Sequence, residues 1–201
     1  MNKKMMKNGT TFAIAASLSI IFAACGSLEN DKYDVKSDGF EKAMEHLEKI
    51  PGGDVMADEL RFSFNDSVGD KNNMIDIISV EFQSKSDKNQ LERMTYNPVT
   101  GWSAINPVEI NPDGDCPEVY ELDEEINTLS LVKADVLKKV YEEAIRKAAE
   151  QQIHPLMSNI LVNFKKGKDV TYETSVRGSL KNSGEFKLIY FVFDKDGNLE
   201  L

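Results

Sequence analysis

Few side chains in this sequence are equipped for chemistry, and their spacing limits what they can do. Its 201 residues hold two His and two Cys, against 34 Asp+Glu. A Ser-His-Asp or Cys-His site needs His46 or His154 in a cleft beside an orienting group, and neither has such a neighbour in sequence. Both read as exposed or structural. A zinc site needs three or four ligands, more than this His and Cys pool supplies. Cys116 sits in Asn111-Pro112-Asp113-Gly114-Asp115-Cys116-Pro117, where nearby acids raise a thiol pKa and oppose nucleophilicity. It reads as a loop residue. Asp113 with Asp115, and Asp194, Asp196 and Asn198, have spacings found in calcium loops. Gly197 comes too early for such a loop and no twelfth-position Glu follows, so turn chemistry accounts for both. Glu121, Asp123, Glu124 and Glu125 read as a solvated strand edge rather than a glycosidase pair. No Walker loop, dinucleotide-binding glycine loop or Gly-x-Ser-x-Gly elbow occurs. No catalytic residue, metal ligand or cofactor is therefore assigned. The net charge of −10 argues against nucleic acid as a partner, because binding it needs clustered Lys and Arg.

Cys25 is different. Lys3, Lys4 and Lys7 open the chain, and an apolar run from Phe12 to Ala24 follows, broken only by Ser17 and Ser19. The run is shorter than the ~20 residues that span a bilayer. Residues 1–24 have the length and flanks of a secretory signal peptide. The segment Ile21-Phe22-Ala23-Ala24-Cys25-Gly26 resembles the lipobox of bacterial lipoproteins, with Phe22 where that family usually carries Leu. The resemblance implies that the Cys25 thiol is alkylated by a diacylglyceryl donor and becomes the new N-terminus. A secreted protein with a free Cys near its start is the plainer alternative. Cleavage before Cys25 removes 24 residues, three of them Lys and none acidic, so the net charge moves from −10 to −13. An acidic body does not adhere to anionic surfaces, so the expected membrane link is covalent lipid.

Residues 25–37 are polar and read as a flexible tether. Gly26 after the Cys resembles outer-membrane sorting. The acids Glu29 and Asp31, together with Asp66-Ser67-Val68, resemble the surface-export and O-glycosylation signals of Bacteroidetes lipoproteins. The resemblance implies an outer-membrane lipoprotein, facing either the periplasm or the cell surface.

The remaining chain must position whatever the protein binds. Asp38 and Glu41 have capping-box spacing, and Phe40, Ala43, Met44, Leu47 and Ile50 recur at helical intervals before Pro51-Gly52-Gly53. Strands are expected around Leu60–Phe64, Met74–Phe82, Leu91–Tyr96 and Trp102–Ile110. In the second of these, Ile78, Val80 and Phe82 share one face and Ile75 and Ile77 the other, which calls for a bulge or burial on both sides. The order then repeats. Val119–Ile126 reads as a strand, and Leu137 to Ala148 as a long amphipathic helix. Strands follow around Ile160–Phe164, Val170–Val176 and Phe186–Phe193. The last is the most apolar, so it is expected at the centre of its sheet. Tyr96 and Trp102 flank the Asn97–Gly101 hairpin. They fill the core if that face turns inward, and form a surface for a protein or glycan partner if it turns outward.

The fold class is therefore α+β: antiparallel sheet with one helix per half, a tandem α-β-β-β(-β) arrangement over 38–115 and 116–201. This pattern, with the ending Phe193-Asp194-Lys195-Asp196-Gly197-Asn198-Leu199, resembles the β-lactamase-inhibitor-like and PepSY-like modules of bacterial envelopes. The resemblance implies a non-catalytic binding or inhibitory module and transfers no functional residue. A hydrolase using carboxylates in a sheet–helix cleft is the alternative.

Overall fold

The computed structural model describes residues 33–51, 53–65, 74–108 and 126–200. The signal segment, Cys25, Asp66-Ser67-Val68, Cys116, the acidic stretch 121–125 and nearly all of the strand expected over 119–126 lie outside them. The described chain is α+β, as its periodicities indicate. Helix α1 (Gly39–Leu47) leads into β1 (Met56–Phe64), β2 (Ile75–Gln83) and β3 (Leu91–Asn97), with two-residue strands β4 (Gly101–Trp102) and β5 (Asn106–Pro107). A short β6 (Asn127–Thr128) and a 3-10 turn precede α2 (Ala134–Glu150), which leads into β7 (Leu156–Asn163), β8 (Thr171–Ser179) and β9 (Phe186–Phe193).

One antiparallel sheet runs through both halves in the order β4-β3-β2-β1-β7-β8-β9. Polar turns between successive strands leave room only for antiparallel neighbours. The two halves meet through their first strands, with Leu60 opposite Val162, Arg61 opposite Leu161 and Phe62 opposite Ile160. The halves also match in detail. Leu60 and Phe62 pair with Val80 and Ile78 of β2, as Ile160 and Val162, a hundred residues later, pair with Thr174 and Tyr172 of β8. The ladder jumps from Ala57 to Glu59 in one half and from Met157 to Asn159 in the other. A bulge repeated at the same place is a shared design feature.

Both helices cover the same face. Alternation along each strand sends Leu60, Phe62, Ile78, Val80, Ile160, Val162, Tyr172 and Val176 to that side. There they meet the apolar stripes of α1 (Phe40, Ala43, Met44, Leu47) and α2 (Leu137, Val140, Tyr141, Ala144, Ala148) in one cluster. Phe40 stands edge-on to Phe62 at 5.4 Å, and Phe64 lies 5.3 Å from Tyr141. Truncating a buried Phe of this kind costs about 3–5 kcal/mol. The cluster of Ile residues in β2 is resolved by a second register shift. Ser63 pairs with Ile77 but Phe64 with Ile75, so Asp76 is the extra residue, Ile75 is buried and Ile77 faces outward.

Three expectations need correction. The strand expected over 102–110 is reduced to β4 and β5, interrupted at residues 103–105. The capping box does not form: Asp38 is the N-cap of α1 but makes no side-chain cap bond. Its carboxylate pairs instead with Lys42 at 3.2 Å, one turn on. Finally, β9 stands at the end of the described strand order rather than at its centre. It is apolar on both faces not because both are covered, but because Phe186, Leu188, Tyr190 and Val192 are exposed at 65%, 44%, 71% and 38%.

Close packing leaves particular demands. A Cβ on Gly178 of β8 would stand 2.1 Å from the carbonyl oxygen of His154, which follows α2 and docks its N–H on the Ser179 carbonyl at 3.0 Å. Only glycine fits there. Thr174 is 2% exposed and its buried hydroxyl has no hydrogen-bond partner, while its counterpart in the first half is Val80. Replacing an orphaned buried hydroxyl with a methyl of similar shape removes a desolvation penalty of about 1–3 kcal/mol. Thr174→Val is therefore expected to raise the urea midpoint, by about 1 kcal/mol in stability, with the m-value unchanged.

Candidate functional site

Tyr96 and Trp102, the aromatic pair singled out in the sequence, face each other across the β3–β4 ladder, with ring centroids 5.5 Å apart. They lie on the helix side of the sheet. Tyr96 is buried, edge-on to Tyr33 at 4.6 Å, and Trp102 is half-buried. The Trp102 Nε1–H donates to the Tyr33 hydroxyl at 3.0 Å. His46, on the last turn of α1, stacks on the indole at 4.4 Å with the rings 2° from parallel. The pair therefore staples α1 and the residue-33 segment to the sheet edge and offers no open aromatic platform. The helical wheel puts His46 on the polar side of α1; only the position of β4 shows that an indole lies there.

The carboxylate cluster at the C-terminal turn is committed to turn structure. The Asp194 carboxylate accepts the N–H of Asp196 at 2.9 Å and of Asn198 at 2.8 Å, and the Asn198 side-chain amide at 3.0 Å. Lys139 of α2 places its ammonium on the Asp196 carbonyl at 2.8 Å and the Asn198 side-chain oxygen at 2.7 Å. A lysine charge thus occupies the middle of the Asp-x-Asp-x-Asn spacing. Among the described residues no group of three or more His, Cys, Asp or Glu is placed to hold a metal ion. No described helix is long and apolar enough to cross a membrane.

Two surfaces remain. The first is a groove of about 470 Å³ between α1, the residues entering β1 and the start of α2. Met44, Leu47, Val55, Leu129 and Val132 give it apolar walls, and Glu41, Glu45, Glu48 and Asp54 an acidic lining. Asp54 is already engaged: its two oxygens accept the Ser130 N–H at 3.0 Å and the Ser130 hydroxyl at 2.8 Å. Burial pushes this carboxyl up, but the hydroxyls of Thr128 and Ser130 and the Ser130 N–H outweigh it and hold it below the ordinary range. That is the reverse of what a general acid needs. Glu41 is less well served, because its Oε2 is buried with no hydrogen-bond partner.

The second is the outer face of the sheet. Both helices lie on the other side, and Glu59, Arg61, Ser63, Ser79, Glu81, Arg93, Thr95, Asn159, Asn163 and Glu173 alternate outward across five strands. Glu59 pairs with Arg61 at 3.1 Å, Glu81 with Arg93, and Asn163 donates to Glu173 at 2.9 Å. These exposed pairs contribute little to stability, ~0–1 kcal/mol each. They make the face polar and of mixed charge, ending at the apolar row of β9. Alternation along each strand turns these positions outward, but which strands stand side by side is decided by the tertiary structure.

Compared with known proteins, the chain matches no family model, no curated protein and no solved structure.

Two measurements check this account. Trp102 is the single Trp of the chain, so its fluorescence reports on the staple. His46→Ala removes the stacked ring, and the emission should shift to the red with a stability loss of about 0.5–1.5 kcal/mol. The second concerns acid. The Asn198 backbone N–H, then its side chain, hold Asp194 below its ordinary pKa of 3.8. Its contribution is present above that value and is lost as pH falls through the lower, folded-state value. Asp194→Asn should therefore be less stable than wild type at neutral pH, with the gap closing below pH 3.8. A gap that is constant with pH would show the carboxylate charge to be irrelevant.

Proposed function

We propose that this chain is a lipid-anchored outer-membrane protein, held through acyl chains on Cys25, whose body is a non-catalytic binding or inhibitory module for a protein or glycan. The Lys-rich start, the apolar run and the small residues before Cys25 support the anchor. Several acyl chains hold a protein at a bilayer where one chain is marginal. The observation that carries the binding reading is that α1 and α2 both pack on one face of a seven-strand path. Among the described residues the opposite face carries polar and charged groups over five strands, covered at Leu91 by Val108 and Ile126. A broad, rigid sheet surface suits recognition of another macromolecule better than it suits enclosing a small substrate.

Incorporation of radiolabelled palmitate by wild type and not by Cys25→Ser tests the anchor. For the binding role, wild type and an Arg61→Glu, Arg93→Glu double variant are compared as baits on detergent-solubilised envelopes. The variant should fold normally and lose the partner. Equal recovery by both, or no partner for either, would sink the reading.

The hydrolase alternative has one observation in its favour, the unpartnered Glu41 oxygen beside the acidic groove. It requires cleavage of envelope glycan or peptide that disappears in Glu41→Gln. Its absence in wild type retires this alternative.

A further inference from the structure

The two halves differ in how much of their last long strand has a described neighbour. In the first half β3 turns through Pro98–Thr100 into a fourth segment that runs back along it. Trp102 pairs with Tyr96, Asn106 with Arg93 and Pro107 with Glu92. The Val108 N–H closes on the Leu91 carbonyl at 2.8 Å. Leu91 points to the outer face and is nonetheless buried, against Ile126 and Val108. In the second half β9 turns through Lys195–Gly197, and Leu199 pairs with Phe193 as Trp102 pairs with Tyr96. The described pairing reaches one bond further, with the Glu200 N–H on the Val192 carbonyl at 2.8 Å. The positions that match Leu91, Glu92 and Arg93 are Leu188, Ile189 and Tyr190, and no described strand lies beside them.

The open stretch has a definite chemistry. The Val192 carbonyl reaches away from β8 to Glu200, so alternation turns the N–H and C=O of Tyr190, Leu188 and Phe186 to the same free edge. Their side chains stand on the outer face, exposed. Natural sheets blunt such edges with Pro, bulges or several charges. Residues 186–190 contain one charge, Lys187, and no acid.

We infer that this edge pairs with β9 of a second copy of the chain, antiparallel and two-fold symmetric, extending the sheet across both molecules. Three observations select a second copy over a foreign strand. With Leu188 opposite its own mate, Phe186 of each copy lies opposite Tyr190 of the other, so the apolar rows match on one face and cross-strand aromatic pairing is satisfied. Each β9 then begins opposite Tyr190, just short of Val192, where the Glu200 segment occupies the edge. The free stretch, Phe186 to Tyr190, is as long as the segment of the second copy that pairs with it. Charge agrees: two molecules of net charge −10 repel, and β9 is a strand free of acids on which they can meet. The fold already uses this join, since β1 and β7 link the two halves by the same antiparallel two-fold pairing. The inference stands apart from the proposed anchoring and binding role.

The test is the number of chains per particle, measured by sedimentation of the full chain in mild detergent. Wild type should contain two. A Phe186→Lys, Tyr190→Lys variant changes only exposed side chains and should contain one, with dissociation strengthened at least 100-fold and an unchanged circular dichroism spectrum. On the purified full chain under mild oxidation, Leu188→Cys should yield a disulfide-linked double-mass band on non-reducing gels, at least tenfold stronger than that from Val99→Cys, which is exposed at the far hairpin, or from wild type. One chain per particle for wild type overturns the inference. So does a double variant that stays paired, a foreign chain found at β9, or equal cross-linking from both cysteines.

Discussion

The β1–β7 pairing is the contact on which the rest of the molecule depends. Each half has a helix and three long strands, but a single helix on three strands closes only a small core. Joining the halves edge to edge makes β1 and β7 the centre of one sheet and removes the two edges most exposed to mispairing. It also brings α1 and α2 together over the same face, where Phe40, Phe62, Phe64 and Tyr141 form a connected aromatic group across the seam. Burial and the nearby Asp34 push the Tyr141 hydroxyl up to about 12, so it serves as a neutral packing group. One core results, with members from both halves.

A seam at the centre moves the problem of free edges to the two ends. The first half solves it inside the chain, with residues 101–108 laid along β3. Among the described residues the second half covers only the end of β9, through Leu199 and Glu200. This asymmetry, between halves that share the register around residues 60–62 and 160–162 and a bulge at the same place, is what makes the open stretch of β9 informative.

The sequence showed a good deal of this and missed particular things for identifiable reasons. The helices over Phe40–Leu47 and Leu137–Ala148 and the alternating strands were legible because their periods, 3.6 and 2, are set by backbone geometry and recur locally. The tension among Ile75, Ile77 and Ile78 showed as a broken period, and it is a register shift. The Asp38–Glu41 spacing misled, since a capping box needs both side chains free to turn back, while Asp38 pairs with Lys42 and the Glu41 carboxylate is partly buried. Calcium-like spacing at Asp194–Asn198 could not reveal Lys139, which arrives from α2, more than fifty residues away. Tyr96 and Trp102 were identifiable as a cross-strand pair, but the side on which they stand depends on where α1 lies.

Local order, by itself, was enough to specify the element types, the inward-facing positions and the repetition of one plan in two halves, because these follow from short-range periodicity and turn chemistry. Tertiary structure alone decided which strands are neighbours. An apolar strand such as β9 reads the same whether covered on both faces in the middle of a sheet or exposed at its edge, since side-chain alternation carries no information about what is hydrogen-bonded alongside. That choice is made by the β1–β7 seam, and it places the most apolar strand at the end of the described sheet.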